Sequence, residues 1–340
     1  MLKNVKPYLL IALLVLLPCI CGAAGIQQAT SGETSVTDQA GRVVKINGPV
    51  EKIVSGYYIS SSACIALGLA DKLVGIEARA NTRPIYKLAA PKLIQLPAVG
   101  TARNFDLEAC IALKPDLVIL PLRLRDSAET LAELGIPAII VNPESYDELT
   151  EMITLIGQAT GTTAAARRLL DYYTRTKRYI NSLTTAIRDV NKPSVYMCSV
   201  SSYLATAPKD MYQSTMIDLA GGKNAAAAIE GSSWVTISYE HLLALNPDVI
   251  IIPSEAEYGV AEILGNADLQ RLKAVAGKKV YKMPSDFEAW DSPVPSCMLG
   301  VQWLLNVLHG NIYPIDSLRR EAATFYHDFY GFDINSSLIQ

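Results

Sequence analysis

The sequence lacks the short motifs that mark the most common enzyme classes. It contains no GxGxxG, GxSxG or HExxH pattern, and the segment Gly221-Gly222-Lys223-Asn224 has neither the upstream glycine nor the following Ser or Thr of a phosphate-binding P-loop. Histidine is scarce, and the three present, at positions 241, 309 and 327, are too far apart in sequence to predict a zinc site. We therefore expect no enzyme activity, no catalytic residue, no bound cofactor and no metal-ligating set.

An excess of positive charge is also missing. The 340 residues carry 30 basic and 33 acidic side chains, a formal net charge of −3, so a nucleic-acid partner is not expected. Paired cysteines are missing too. Beyond the first 24 residues the cysteines are widely spaced and form no CxxC pair, which argues against a disulfide framework or a zinc ribbon and predicts buried free thiols at Cys64, Cys110, Cys198 and Cys297.

Apolar runs long enough to span a membrane are absent after the first 26 residues. After two lysines, residues 7–26 carry no charge and end near the small residues Gly22-Ala23-Ala24. This order predicts a signal peptide over residues 1–24, followed by a flexible arm over residues 25–36 and a protein exported to the periplasm. An uncleaved membrane anchor is one alternative. A lipoprotein formed at Cys19 or Cys21 is another, although neither cysteine follows the small residue that a lipobox needs.

What is present is an alternation of short aliphatic runs and helical patterns. Residues 36–46 read as a hairpin with Gln39-Ala40-Gly41 in the turn. Continuous apolar runs then predict buried parallel strands at residues 53–54, 73–76, 117–120 and 138–141, and again at 195–200, 249–252 and 280–282. The sequence therefore predicts an α/β fold with two α/β lobes around central, mainly parallel sheets, over residues 37–160 and 191–340.

One long helix is predicted between these lobes. Residues 163–189 contain no Pro or Gly, and their apolar residues recur at steps of three and four. A helix of that length spans about 40 Å. We expect residues 161–190 to form a rigid linker between the lobes.

The two halves also share a matching segment. Residues 108–121 align without gaps to residues 240–253, with seven of fourteen positions identical. Each copy opens near a glutamate, Glu108 or Glu240, and passes through Pro-Asp into an apolar strand. Two lobes built alike predict a bilobed body with a cleft between them.

Arginine and aromatic residues collect where the predicted strands end. Ligands of open α/β sheets bind at the carboxyl ends of the strands, and the guanidinium fork suits carboxylate, phosphate or oxyanion. Aromatic rings in the same loops could stack on a flat ligand. The predicted ligand-binding residues are Tyr57, Arg79, Arg83, Arg103, Arg123, Tyr203, Trp234 and Trp290.

The motifs resemble the periplasmic substrate-binding proteins for iron–siderophore, haem and cobalamin uptake. The resemblance is carried by residues 36–46 with Ile53-Val54-Ser55, by residues 106–120, by residues 220–224 and by the second Leu-Asn-Pro-Asp segment. It covers nearly all of the chain beyond the leader. The C-terminal part, from Trp290-Asp291-Ser292-Pro293 to Phe329-Tyr330-Gly331, is similar to a subgroup that includes molybdate and tungstate binders.

This resemblance implies two α/β lobes joined by one helix, with limited hinge motion. It implies a monomer that captures a small metal-bearing ligand and delivers it to the permease dimer of an ATP-driven ABC importer with its ATPase. The glutamates at the matching motif positions, Glu108 and Glu240, would dock on arginines of the two permease subunits.

The ligand stays open at this point. A ferric chelate is the first choice, haem or a corrinoid is the next, and a bare metal oxyanion such as molybdate or tungstate is the third. A metal-cluster enzyme on a similar two-lobed scaffold is the alternative of a different class, and it would need cluster-ligating cysteines between the lobes.

Overall fold

The computed structural model of the chain describes residues 32–231, 233–284 and 286–340. The predicted signal peptide and residues 25–31 of the predicted arm lie outside these ranges. Within them, no helix is both long enough and apolar enough to cross a bilayer.

The first lobe begins with a hairpin and continues as alternating strands and helices. Its elements are β1 (Glu33–Thr37), β2 (Val43–Asn47), β3 (Ile53–Ser55), α1 (Tyr58–Ala66), β4 (Leu73–Ile76), α2 (Pro84–Ala89), α3 (Leu107–Ala112), β5 (Leu117–Pro121), α4 (Arg125–Glu133), β6 (Ala138–Val141) and α5 (Tyr146–Thr160). The linker helix α6 (Thr163–Thr184) follows.

The second lobe repeats this alternation and ends in two helices. Its elements are β7 (Ser194–Met197), β8 (Ala205–Thr206), α7 (Tyr212–Leu219), β9 (Lys223–Asn224), β10 (Val235–Thr236), α8 (Tyr239–Leu245), β11 (Val249–Ile252), α9 (Val260–Gly265), α10 (Lys273–Ala276), β12 (Val280–Lys282), α11 (Cys297–His309) and α12 (Ile315–Tyr330).

The two lobes contain parallel sheets of the same topology. The strand orders are β4-β3-β5-β6 in the first lobe and β9-β7-β11-β12 in the second, and the pairings within each sheet are parallel. The strands of the two matching segments, β5 and β11, are both interior strands and are fully buried. The predicted fold class, two α/β lobes joined by one long helix, is confirmed.

The Pro-Asp turn performs the same task in both lobes. The carboxylate of Asp116 accepts a hydrogen bond from the backbone N–H of Lys52 at 2.8 Å, just before β3. In the second lobe Asp248 accepts from the backbone N–H of Ser194 at 2.9 Å, at the first residue of β7. Each aspartate thus fixes the register of its own strand against the neighbouring strand.

Part of the predicted flexible arm is a strand instead. Residues 33–36 belong to β1, which pairs antiparallel with β2 across the predicted hairpin. The side chain of Val36 is buried in the core, so ladder hydrogen bonds and apolar burial together order a segment whose composition is polar.

The linker helix ends earlier than predicted. It stops at Thr184 rather than continuing to residue 189. The hydroxyl of Thr184 and that of Thr185 turn back onto the carbonyls of Ile180 and Asn181, and threonine is a poor helix former. At 22 residues the helix is about 33 Å long.

A single hydrophobic core extends along the linker side of both lobes. It joins residues of β3, α5 and α6 to residues of α11 and α12. Gly300 allows α11 to approach the preceding loop, because a Cβ at this position would lie 2.2 Å from the carbonyl oxygen of Trp290. Cys64 and Cys297 are buried free thiols of this core, and Cys110 and Cys198 are buried free thiols of two smaller apolar clusters, one in each lobe.

Candidate functional site

The loop that follows β4 presents two arginines at the carboxyl edge of the first sheet. Arg79 has a left-handed backbone, with φ of 71°, and begins a short 3-10 turn over Ala80–Thr82. Its carbonyl accepts hydrogen bonds from the backbone N–H of Thr82 at 2.9 Å and from the Thr82 hydroxyl at 2.7 Å. A non-glycine residue in this conformation is strained, and the two hydrogen bonds from Thr82 help to hold Arg79 in it.

A cleft of about 400 Å³ lies between this loop and the second lobe. The first lobe supplies one wall, and loops that follow β11 and β12 supply the other. The lining residues are Tyr58, Arg79, Thr82, Arg83, Pro84, Ser254, Glu255, Glu288 and Ala289.

Arg83 is the most constrained charged residue of the cleft. Its guanidinium carbon lies 3.8 Å from the ring centroid of Tyr58, which is a cation–π contact. Its Nη1 forms an ion pair with Glu255 of the opposite lobe. Its Nε is buried and has no hydrogen-bond partner among the described residues. A buried N–H of this kind has a strong demand for an acceptor.

Buried carboxylates support the walls of the cleft. Glu77 accepts hydrogen bonds from the hydroxyls of Ser61 at 2.5 Å and Tyr86 at 2.7 Å. These bonds anchor the start of the loop between β4 and α2, residues 77–83, hereafter the arginine loop. Glu288 accepts from the hydroxyls of Ser62 and Ser296. Burial raises the pKa of both glutamates above the ordinary value of 4.5.

Glu288 also joins elements from different parts of the fold. The Tyr330 hydroxyl of α12 lies 2.9 and 3.0 Å from its two carboxylate oxygens, and Ser62 belongs to α1 of the first lobe. One carboxylate therefore connects the first lobe, the cleft loop and the C-terminal helix.

A second, smaller depression of about 330 Å³ lies at the ends of β5 and β6. It is lined by Tyr57, Arg123 and Glu144, together with backbone and apolar groups of the same loops. Burial raises the pKa of Tyr57. Burial also raises the pKa of Glu144, against the opposing effect of the Arg123 charge.

The structure therefore divides the predicted ligand-binding residues into groups. Arg79 and Arg83 line the interlobe cleft, whereas Tyr57 and Arg123 line the second depression. Arg103 is exposed on a turn of residues 101–104 and lines neither cavity.

The three predicted residues of the second lobe have other surroundings. The hydroxyl of Tyr203 is hydrogen-bonded to that of Tyr239 at 2.9 Å, and Trp234 is half-buried against the core. Trp290 is completely buried, and its Nε1 donates to the hydroxyl of Tyr326 at 2.9 Å. The prediction that Trp290 lies on the cleft does not match this placement. The apolar ring is packed in the core and its single N–H already has an acceptor there, so neither is available to a ligand.

Seven of the nine cleft residues are absent from the predicted set, and Tyr58 and Glu255 are the two that contact Arg83. Tyr58 is the neighbour of Tyr57 but begins α1, so its ring turns toward the arginine loop. Glu255 follows β11 by three residues, the same kind of position that marks Arg123 after β5. Glu255 is missing because the predicted set takes only arginines and aromatic residues from the strand ends and leaves out carboxylates.

Glu108 and Glu240 occupy equivalent places in the two lobes. Each is the second residue of its helix, α3 or α8, and each is exposed. The helix starts are capped by other side chains: Asp106 accepts from Ala109 N–H at 2.9 Å, and Ser238 accepts from His241 N–H at 3.2 Å. Neither glutamate is needed as the capping residue.

Comparison with known proteins agrees with this architecture. A family profile described as "Periplasmic binding protein" matches residues 53–287. The molybdate-binding protein MolA of Haemophilus influenzae is 23% identical over 335 residues, which is 91% of this chain and 94% of that protein. The uncharacterized ABC transporter substrate-binding lipoprotein YvrC of Bacillus subtilis is 27% identical, over 76% of this chain and 81% of that protein.

Solved structures share the fold. A periplasmic solute binding protein from Veillonella parvula has a TM-score of 0.79 with 26% identity, covering 90% of this chain and 95% of that chain. The molybdate-bound MolA structure has a TM-score of 0.80 with 22% identity, covering 88% of this chain and 99% of that chain.

Proposed function

Because the chain belongs to the periplasmic binding protein family, we propose that it captures a compact anionic ligand in the interlobe cleft and delivers it to an ABC permease. The proposal includes export by the signal peptide over residues 1–24, a periplasmic location and a monomeric binding protein. It also divides the chain into a first lobe over residues 33–160, which now includes all of β1, a linker at 161–190 and a second lobe over residues 191–340. The relatives named above are binding proteins of transporters or of solutes.

One observation carries the anion assignment: Arg83 Nε is buried at the cleft without an acceptor. The neighbouring Nη1 holds the carboxylate of Glu255, so this guanidinium already pairs with one oxygen anion at the cleft. Arg79 adds a second positive charge from the same loop. An anion that takes the free N–H would gain charge-assisted hydrogen bonds.

The size and lining of the cleft favour a small ligand. A volume of about 400 Å³ is near the lower end of the 300–1,000 Å³ range of small-molecule sites. The sequence ranks a ferric chelate before a bare metal oxyanion, but the small cleft, its two arginines and the relative named for molybdate binding together favour a tetrahedral oxyanion such as molybdate or tungstate.

Titration calorimetry on the protein without its leader tests this proposal. Molybdate and tungstate are the probes, and a ferric catecholate chelate, haem and cobalamin represent the other candidates. We expect saturable binding of an oxyanion, weakened about tenfold or more in Arg79→Gln and in Arg83→Gln, the range for losing a charge-assisted hydrogen bond.

Arg125→Gln is the matched control, since Arg125 is exposed on α4 and pairs with Glu129. The oxyanion proposal is wrong if the protein binds a chelate or a macrocycle with the same affinity in wild type and in both cleft variants. Absence of binding to all five probes would contradict the wider proposal of metal-ligand capture.

A further inference from the structure

A third cavity lies in the groove between the linker helix α6 and the C-terminal helix α12. It has a volume of about 560 Å³ and shares no lining residue with the cleft. We propose that this groove, hereafter the helix groove, binds a small zwitterionic organic molecule of amino-acid size. Residues of α6, α11 and α12 line it, together with Tyr313.

The walls of the helix groove are aromatic. Tyr172 packs on Phe325 and Phe329, with ring centroids 5.0 and 5.6 Å apart, and Tyr179 packs edge-on against Tyr313 at 6.4 Å. Half of the surface of Tyr179 is nevertheless exposed, at 51%. Aromatic faces around an open groove attract both apolar groups and ammonium groups.

The floor of the helix groove is a buried polar network with spare hydrogen-bonding capacity. Gln302 is 1% exposed, and its Oε1 accepts from the Tyr313 hydroxyl. Its Nε2 carries two hydrogens, yet within the described ranges its partner is the Tyr172 hydroxyl at 3.5 Å, the outer limit of a hydrogen bond. A buried amide with an unused donor favours an added acceptor at this position.

The rim of the helix groove carries charges of both signs. Arg175 and Arg320 are the cations, and Glu321 and Asp328 are the anions. In the part of the chain that the structure covers, none of these four forms an ion pair within 4.0 Å. Two unpaired cations and two unpaired anions around one groove are complementary to a ligand that bears a carboxylate and an ammonium group.

The roles within the helix groove follow from this chemistry. The ligand carboxylate would lie by Arg175 and Arg320, while its ammonium group would lie by Glu321 and the face of an aromatic ring. The apolar remainder would contact Phe325 and Phe329. A molecule that is only an anion would meet the two carboxylates, so the oxyanion proposed for the cleft does not suit this groove.

Calorimetry with the twenty free L-amino acids and glycine betaine tests the inference on the protein without its leader. We expect one-site binding of at least one of these probes, weakened about fivefold or more by Arg320→Gln and by Glu321→Gln. For an amino acid that binds, the matching amine without a carboxylate and the matching acid without an amine should both bind more weakly.

Two control variants separate this site from the cleft. Arg167→Gln removes an exposed arginine on α6 whose side chain is 85% accessible, and Arg79→Gln alters the cleft. Both should leave binding of the zwitterion unchanged. The inference is overturned if no probe binds, or if the bound probe responds to Arg79→Gln and not to the groove variants. Neither result bears on oxyanion binding in the cleft, which is measured with separate probes.

Discussion

Arg83 and Glu255 form an ion pair across the interlobe cleft, with one partner from each lobe. The side chain of Arg83 is 19% exposed and that of Glu255 is 42% exposed, so the pair lies at the mouth of the cleft. Glu255 competes for the guanidinium that a ligand anion would use. The two residues should therefore have opposite effects on ligand binding.

We expect Glu255→Gln to tighten binding of the oxyanion and Arg83→Gln to weaken it. Removing the Glu255 carboxylate frees the guanidinium of Arg83 and also removes a negative charge that repels the oxyanion. The affinity should therefore rise several-fold, within about 1 kcal/mol for a half-exposed pair. Calorimetry with molybdate measures both. Glu129→Gln, which removes the partner of Arg125 on α4, is the control and should change nothing. Weaker binding in Glu255→Gln would instead show that Glu255 helps to form the site.

The docking proposal concerns Glu108 and Glu240. Because Asp106 and Ser238 already cap the two helices, the double variant Glu108→Ala, Glu240→Ala should fold normally and bind ligand with wild-type affinity. Uptake through the cognate permease should fall sharply, since charges at such a rim orient the partner and set the encounter rate. Raising the salt concentration should slow wild-type uptake and leave the residual uptake of the variant unaffected.

A control double variant, Glu133→Ala with Glu262→Ala, removes the same charge from other exposed positions of the two lobes. It should retain wild-type uptake. Full transport by Glu108→Ala, Glu240→Ala would end the docking proposal, and a large loss of stability would favour a purely structural role for the two glutamates.

The regular elements follow from local sequence, whereas the cleft does not. Continuous apolar runs predict β5 and β11 because an interior parallel strand is buried on both faces. Arg83 and Glu255 are 172 positions apart, and their meeting depends on how the two lobes pack against a shared core. No pattern of spacing within one chain segment contains that information.

Trp290 also shows that local sequence does not predict which side chains line the cleft. Its place after β12 matches the strand-end rule, yet its ring lies in the core beside Phe287 and Tyr326. The rule selects positions in a loop and gives no direction for the side chain. The approach of α11 at Gly300 closes over this loop and decides the direction.

The two matching segments, residues 108–121 and 240–253, predict that a substitution at Lys114 can stabilise the protein. Lys114 and Asn246 hold the same position before Pro-Asp, and both have a left-handed backbone, with φ of 51° and 43°. A residue with a Cβ pays roughly 1–2 kcal/mol there, and glycine does not. We expect Lys114→Gly to raise the free energy of unfolding by about 0.5–1 kcal/mol once the entropy of glycine in the unfolded chain is subtracted.

Asn246→Lys should have the opposite effect. Asparagine tolerates this conformation better than lysine, and the Oδ1 of Asn246 accepts from the backbone N–H of Lys273 at 3.0 Å. Urea unfolding measures both variants. Lys87→Gly, at an exposed position of α2, is the matched control and should destabilise by about 1 kcal/mol. Equal losses at Lys114 and Lys87 would show that the left-handed position carries no strain.

Glu288 predicts a dependence of stability on pH. Burial raises the pKa of this carboxyl above 4.5, and its neighbours are the hydroxyls of Ser62, Ser296 and Tyr330. The folded protein therefore holds this proton at a pH where the unfolded chain has released it. The linkage between folding and proton binding gives the direction of the change. The stabilising contribution of the Glu288 carboxyl is fully present below pH 4.5, and it falls as the pH rises toward the pKa of this group in the folded protein.

Glu288→Gln mimics the protonated acid and cannot ionise. The free energy of unfolding, measured in urea from pH 4.5 to neutral pH, should fall less steeply for this variant than for wild type. Each unit by which the folded pKa exceeds the unfolded one is worth about 1.4 kcal/mol of that difference. Glu133→Gln, at an exposed end of α4, is the control and should follow the wild-type curve. Parallel curves for wild type and Glu288→Gln would mean that the pKa of Glu288 is the same in the folded and the unfolded protein, and the prediction would be wrong.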